Sequence, residues 1–250
     1  SAARQLGGRE VLCEIFGGSR HSVTFAELLW LGHLDVYAGV NYFCPHLTWY
    51  SAAGRGKRDW PQSFNYQQTC WPEVRDLNDY FTRLLTAMRA GEPDVEVLLL
   101  QPMDSATASY RFGIAQAAEG FSPDEGAVSY LDKMFRRVTD AILESGRDAD
   151  LGDETIIGES GSVEGDRFVV GAMKYRTVVV PPSMTWRPRT FELLTEFVDN
   201  GGNVIFLAEL PTELDCADAA DAWRELARRC RHGPASRQEL QAARAKVTTE

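Results

Sequence analysis

The feature that most constrains this fold is a strand–helix–strand pattern within residues 10–50. Two short apolar runs, residues 11–16 and 39–44, have the composition of buried strands, and polar and aromatic residues follow each of them. Between them, Thr24 and Glu27 have capping-box spacing, which predicts a helix over residues 24–34. This order forms one right-handed βαβ unit, the repeating element of parallel barrels and doubly wound sheets.

Glu14 lies between Cys13 and Ile15, inside the first apolar run. A carboxylate in a strand is costly to desolvate unless it faces a polar site or a charged partner. Two interpretations follow. Glu14 is a functional group at the rim of a sheet, or it is a structural residue held in a salt bridge at the strand end.

Candidate binding residues accompany the second run. Asn41, His46, Trp49 and Tyr50 combine hydrogen-bonding groups with flat apolar faces, which suits a polyol such as a sugar ring. The structural alternative is that His46, which follows a proline, caps a turn, and that the two aromatic residues pack against the next segment.

The order of these motifs resembles a known enzyme class. EIFGG, GVNYFCPH, WYS and, further on, WPEVRDLNDYFTRL are similar to the last two strands of a glycoside hydrolase (β/α)8 barrel, as in bacterial α-L-rhamnosidase-type and β-galactosidase-like enzymes. The resemblance implies that Glu14 ends the seventh barrel strand as a catalytic carboxylate. Glycoside hydrolysis needs a second carboxylate, which would come from an earlier strand. It also implies a carbohydrate substrate.

The second half of the chain predicts another α/β unit. A regular amphipathic helix over residues 72–91 separates it from the first, after a long loop at residues 51–72. The elements predicted beyond it are strands at residues 95–100, 177–180 and 204–208, helices at 127–145, 189–200 and 219–230, a loop with a weak strand at 148–157, and a small hairpin at 167–170. Unbroken apolar strands alternating with helices indicate a doubly wound parallel sheet.

This half resembles the class I glutamine amidotransferase-like, flavodoxin-like domain that follows the barrel in β-galactosidases, where it serves in trimerisation. The matching stretches are DVEVLLLQP, YRTVVVPP and FELLTEFVDNGGNVIFLAELP. The change of composition near Gly91 predicts domains at residues 1–92 and 93–250. The resemblance implies that homo-oligomers can form through the second. No cysteine follows these strands in a glycine-flanked turn, so transfer of glutamine nitrogen is not expected.

Composition excludes several partners. A net charge of −10 and a pI near 5.0 argue against nucleic acid and anionic membrane surfaces. The five cysteines show neither CxxC pairs nor metal-ligand spacing, which favours reduced, buried thiols and a cytoplasmic rather than extracellular location. We expect no metal and no cofactor, since GRGK lacks the full phosphate-loop frame and no GxGxxG follows a strand.

A second function of a different class is consistent with the same residues. In it, the chain is a non-catalytic oligomerisation or carbohydrate-binding accessory module. The two functions differ in where Glu14 lies, because a catalytic Glu14 faces an open cleft and a structural one is buried.

Overall fold

The structure is a computed structural model that describes residues 1–46, 53–57, 64, 66–110 and 126–233. The α-helices in this part of the chain are α1 (Ala2–Gln5), α2 (Phe25–Tyr37), α3 (Val74–Arg89), α4 (Met103–Ser109), α5 (Ala127–Glu144), α6 (Glu154–Ser160), α7 (Pro188–Asp199) and α8 (Ala220–Ala227). The strands are β1 (Leu12–Ile15), β2 (Tyr42–Pro45), β3 (Val97–Leu100), β4 (Ala149–Gly152), β5 (Gly161–Glu164), β6 (Arg167–Val170), β7 (Met173–Tyr175), β8 (Thr177–Val180), β9 (Thr185–Trp186), β10 (Asn203–Leu207), β11 (Glu213–Leu214), β12 (Ala217–Asp218) and β13 (Arg231–Gly233).

The chain divides into two compact units. The small unit is Gly8–Pro93, and the large unit combines Ser1–Gly7 with Asp94–Glu250. The sequence analysis assigned residues 1–7 to the first domain, whereas they pack with the second. The small unit is therefore inserted, along the chain, between two parts of the large unit.

The small unit is a βαβ unit followed by a helix. β1 and β2 pair in parallel, with Glu14 opposite Cys44 in the register. Helix α2 begins at Phe25 because a capping box satisfies its first turn: the Thr24 hydroxyl accepts from the Glu27 backbone N–H at 3.2 Å, and the Glu27 carboxylate accepts from the Thr24 N–H at 2.7 Å. The helix ends three residues later than predicted.

One face of the β1–β2 pair is covered by α2 and α3, and the other, which we call the open face, carries exposed side chains in the described part of the small unit. Cys13, Ile15 and Phe43 belong to the apolar cluster that the two helices complete. Because side chains alternate along a strand, their neighbours point the other way. Leu12 and Tyr42 on that second face are 58% and 43% exposed.

The large unit contains a five-stranded sheet in which every pairing is parallel, in the order β13–β10–β8–β3–β4. Numbered along the chain, its strands follow the order 2-1-3-4-5. Alternate residues of β3 serve two cores: Leu98 and Leu100 face the cluster that contains α7 and α8, while Val97 and Leu99 face α5. Burial on both faces explains the unbroken apolar runs.

Two parts of this unit differ from the expectation. The predicted loop and weak strand at residues 148–157 are edge strand β4 and helix α6, and the predicted hairpin is the middle of the antiparallel sheet β5–β6–β7. A fifth parallel strand, β13, was not predicted. Its sequence Arg-His-Gly has no apolar alternation, and it forms because the exposed edge of β10 offers backbone partners.

Residues 1–7, which we call the N-terminal strap, are held against β4 and β7. The Gln5 side chain is buried and donates to the Leu151 carbonyl at 3.1 Å and to the Tyr175 hydroxyl at 3.0 Å. Arg4 Nη2 lies 2.9 Å from Oδ1 of Asp150, which is fully buried. This is an ion pair without hydrogen-bond geometry, so Asp150 Oδ1 has no hydrogen-bond partner among the described residues.

Candidate active site

Glu14 lies near the carboxyl end of β1, on the open face of the β1–β2 pair. Its side chain is 53% exposed, whereas the next residue, Ile15, is buried among the helices. The alternation along the strand therefore sends the carboxylate away from the helix layer and into an accessible position. Glu14 is thus an accessible carboxylate at the strand end, and its functional role stays a prediction.

His46 is the described side chain that the structure brings to Glu14. The His46 Nε2 atom lies 3.8 Å from Glu14 Oε1, and the histidine side chain is 28% exposed. The backbone also holds the two residues together, because the His46 N–H donates to the Ile15 carbonyl at 2.7 Å. At this separation both side chains can reach a hydroxyl group placed over the rim.

The chain reverses direction immediately after Glu14 and Ile15. Phe16 has a φ of +66°, a left-handed conformation that costs about 1–2 kcal/mol for a residue with a Cβ. Phe16 is only 8% exposed, and its ring stacks on that of Phe64, with ring centroids 5.4 Å apart and planes 10° from parallel. Burial of an aromatic ring offsets the strain, so Phe16 holds the strand end that presents Glu14. Gly17 and Gly18, which follow, were the only sequence sign of this turn.

Asn41 is not brought to Glu14. Its Oδ1 accepts from the Val11 N–H at 2.8 Å, and its Nδ2 donates to the Arg9 carbonyl at 2.8 Å. Both interactions lie at the amino ends of the strands, about 10 Å from the rim at 3.3 Å per residue. The side chain thus joins the starts of β1 and β2. Trp49 and Tyr50, the other two predicted binding residues, lie outside the described residues.

The cysteines of the two strands are not a pair. In the parallel register, Cys13 lies opposite Phe43 and Cys44 lies opposite Glu14. Cys13 thus faces the helix layer and Cys44 faces the open side, and both are free thiols. Across the described part of the chain, no three His, Cys, Asp or Glu side chains converge in a metal-binding group. No helix in that part combines the length and the apolar character needed to cross a membrane.

The large unit has a polar cluster where β3 and β8 end, the point at which doubly wound sheets usually bind ligands. Here the Ser105 hydroxyl accepts from the N–H groups of Met184 and Thr185, each at 3.0 Å, and donates to the Thr185 carbonyl at 2.8 Å. One buried hydroxyl therefore ties the segment after β3 to the segment after β8. These three structural contacts take up the hydrogen-bonding capacity of the hydroxyl.

A buried carboxyl group lies beside this cluster. Glu154 Oε1 accepts from the Arg187 N–H at 2.8 Å and from the Thr190 hydroxyl at 2.6 Å. Burial raises the pKa of Glu154, and these two hydrogen bonds act in the opposite direction. Arg187 turns its guanidinium to Asp104, with an Nε to Oδ2 distance of 2.7 Å. These contacts tie α4, α6 and α7 together at one edge of the sheet.

The turn after β8 carries Ser183 and no cysteine. The Ser183 hydroxyl donates to the Pro181 carbonyl at 3.0 Å and accepts from the Trp186 indole N–H at 2.7 Å. Cys216 is exposed in the turn between β11 and β12. Among the described residues this end of the sheet shows no nucleophile bonded to a base.

Comparison with known proteins gives a likeness of fold. No family model and no curated protein matches the chain. Among solved structures, a rhamnosidase from Novosphingobium sp. PP1Y superposes with a TM-score of 0.61 at 16% sequence identity, over 99% of this chain and 23% of that one. A β-galactosidase from Rahnella sp. R3 matches 66% of this chain and 21% of its own, with a TM-score of 0.41 and 15% identity. The chain thus spans about a quarter of the rhamnosidase, and over that length the two share an arrangement of helices and strands.

Proposed function

We propose that the chain is the C-terminal part of a longer glycoside hydrolase that cleaves glycosidic bonds as an α-L-rhamnosidase or a β-galactosidase-like enzyme does. The observation that carries the proposal is the position of Glu14, accessible at the carboxyl end of a parallel strand and 3.8 Å from His46. Active sites of parallel barrels lie at that end of the strands. The fold shared with a rhamnosidase over 99% of the chain supports the same assignment.

The open face of the β1–β2 pair supports a barrel. Two strands cannot bury Leu12 and Tyr42, which are exposed on the face that carries Glu14. In a (β/α)8 barrel this face is the packed interior, and six further strands would cover it. We assign β1 and β2 to the last two strands of such a barrel.

The large unit is, in this proposal, a flavodoxin-like accessory domain of the class I glutamine amidotransferase-like type. Its strand order 2-1-3-4-5 is the flavodoxin order. The fully bonded Ser105 at the strand ends favours a structural over a catalytic role, and association of subunits through this domain is the corresponding expectation.

Glu14 supplies one of the two carboxylates of glycoside hydrolysis, as nucleophile or as the base that activates water. His46 lies beside the carboxylate and offers a hydrogen bond to a sugar hydroxyl. The general acid would come from an earlier strand. Residues 1–250 alone should therefore not hydrolyse aryl glycosides, because one carboxylate cannot fill both roles.

The test is a pair of substitutions in the full-length enzyme. Glu14→Gln should lower kcat by about 10²–10⁴-fold with the melting temperature unchanged. Glu10→Gln is the matched control, because Glu10 is an exposed glutamate just before the same strand, 3.7 Å from Arg89. Near-normal turnover in Glu14→Gln, or an equal loss in both variants, would end the catalytic assignment. Turnover by residues 1–250 alone that Glu14→Gln abolishes would keep the site and refute the two-carboxylate division.

A further inference from the structure

The N-terminal strap covers the free edge of the five-stranded sheet. β4 is the last strand in the sheet order, so the outward N–H and C=O of Leu151 have no partner strand among the described residues. The Ser1 hydroxyl accepts from that N–H at 2.8 Å, and the Gln5 side chain donates to that C=O at 3.1 Å. Tyr175 on β7 and Gly171, which approaches the Gln5 backbone, complete a groove around the strap. We call it the strap groove.

Polar contacts hold the strap in this groove. In the described part of the chain, the apolar clusters contain no strap residue, and Leu6 is 64% exposed. Gln5 Oε1 and Asp150 Oδ1 are buried at the contact, and among the described residues neither has a hydrogen-bond partner. A segment that is ordered without apolar burial opens at a lower free energy than the core. The strap should therefore leave the groove while the large unit stays folded.

A glycine pair joins the strap to the rest of the chain. The boundary between the two units falls between Gly7 and Gly8, and both glycines are exposed. Gly7 has a φ of +78°, and a Cβ built on it would meet no atom within 4 Å. Because glycine accepts many backbone conformations, this pair can act as a hinge about which a released strap changes direction.

A groove that fits the strap of its own chain also fits the same segment of a second copy. We propose that the strap groove is an exchange site, in which residues 1–7 of one copy dock on the large unit of another and join the two copies. An exchanged strap makes the same contacts, so only its connection to the groove differs. Within one chain, Arg4 and its partner Asp148 are 144 residues apart, and the effective concentration of a tethered segment falls as the tether lengthens. Exchange is therefore favoured where copies are concentrated or where a strap cannot enter its own groove.

The test is a complementation between two variants of residues 1–250. Gly171→Ala keeps an intact strap and blocks the groove, because its Cβ would lie 2.0 Å from the Gln5 carbonyl oxygen. Gln5→Glu keeps the groove and disables the strap, because it removes two donated hydrogen bonds and sets a carboxylate against the Leu151 carbonyl. By light scattering, the equimolar mixture should have twice the mass of either variant alone.

Proteolysis provides a second readout on the same mixture. Trypsin cleaves after Arg4, and docking should protect that bond, so Gly171→Ala alone should be cut rapidly. When the Gln5→Glu chain is present at ten times the Kd, the undocked fraction of the intact straps falls about elevenfold, and their cleavage rate should fall with it. The mass of the released peptide distinguishes the two straps.

Two matched controls isolate the exchange. Gly165→Ala has the same left-handed backbone without the clash, and Leu6→Glu adds a charge at an exposed position of the strap. Their mixture should form no complex, because each groove holds its own strap. If Gln5→Glu does not melt cooperatively, Gln5→Ala takes its place. A mixture of the groove and strap variants that keeps the mass of the separate chains, or an equal rise in mass with the controls, would overturn the proposal.

This inference rests on the accessory role proposed for the large unit, and it adds the surface through which copies associate. If the parent chain and every variant share one oligomeric mass that mixing does not change, that role stands and strap exchange fails. If the exchange complex forms while Glu14→Gln leaves turnover intact, strap exchange stands and the catalytic assignment fails.

Discussion

Gly171 allows the N-terminal strap to dock, and replacing it should release the strap. Gly171 has a φ of +56°, and a Cβ built on it would lie 2.0 Å from the Gln5 carbonyl oxygen. That oxygen accepts from the Ala172 N–H at 2.8 Å, so the two backbones are in direct contact. In Gly171→Ala the clash is with a main-chain atom, which cannot rotate away as a side chain could. We therefore expect the strap to leave its position.

The stability lost in Gly171→Ala follows from the contacts that the strap makes. The backbone bond and the two hydrogen bonds from the Gln5 side chain contribute about 1 kcal/mol each, so release of the strap should lower the free energy of unfolding by about 3 kcal/mol. The loss is larger if Asp150 stays buried without its ion pair to Arg4. For a unit of this size, 3 kcal/mol lowers the melting temperature by about 6–12 °C.

Gly165→Ala is the control that separates the effect of strap release from the effect of backbone strain. Gly165 has a φ of +58°, and a Cβ there would meet no atom within 4 Å. Both variants carry the left-handed cost of about 1–2 kcal/mol, and only one carries the clash. The measurement is calorimetry on the two variants and the parent chain, with proteolysis of residues 1–7 as a direct report on the strap. Equal melting temperatures for the two variants would refute the argument.

Three further predictions concern stability. Gly32→Ala should destabilise the protein by about 1–2 kcal/mol in denaturant titrations, because its Cβ would meet the Phe81 ring at 2.3 Å and this overpacking exceeds the gain in helix propensity. The control Gly158→Ala, whose Cβ would meet no atom within 4 Å, should stabilise the protein by up to about 1 kcal/mol. The reverse order of stabilities would contradict the contact between Gly32 and Phe81. The raised pKa of Glu154 means that the folded protein keeps a proton that the unfolded chain loses, so stability should fall as pH rises from the ordinary carboxyl range, and Glu154→Gln should flatten a plot of melting temperature against pH. Asn41→Ala should cost about 2 kcal/mol in the same titrations for two lost bonds to the backbone, and a neutral result would remove its structural role.

The sequence predicted the elements whose signal is local. The capping box at Thr24, the apolar runs of β3, β8 and β10 and the amphipathic helices are set by neighbouring residues and by burial on a known face, and the structure has them within a few residues of the predicted bounds. Glu14 was singled out because a charge interrupts an apolar run, and its exposure follows from strand alternation.

The features that the sequence missed depend on partners far along the chain. The segment of β4 was predicted only as a loop with a weak strand, because Asp150 breaks its apolar pattern. The residue that makes the burial of that charge tolerable, Arg4, lies 146 positions earlier. Asn41 was interpreted as a ligand for sugar because it accompanies the second apolar run and offers hydrogen-bonding groups, but its amide bonds to backbone groups at the start of the neighbouring strand. Phe16 has an ordinary sequence context and a left-handed backbone, which its stacking on Phe64 stabilises.

The insertion of the small unit changes the loop entropy of the large one. Arg4 and Asp148 are 144 residues apart, and docking the strap closes that loop. Arg9 and Glu92, at the two ends of the small unit, are 83 residues apart in sequence and joined by an ion pair of 2.8 Å. Once the small unit has folded, the flexible loop therefore shortens to about 60 residues, which lowers the closure penalty by about 0.8 kcal/mol. Folding of the small unit thus favours completion of the large one through chain connectivity alone.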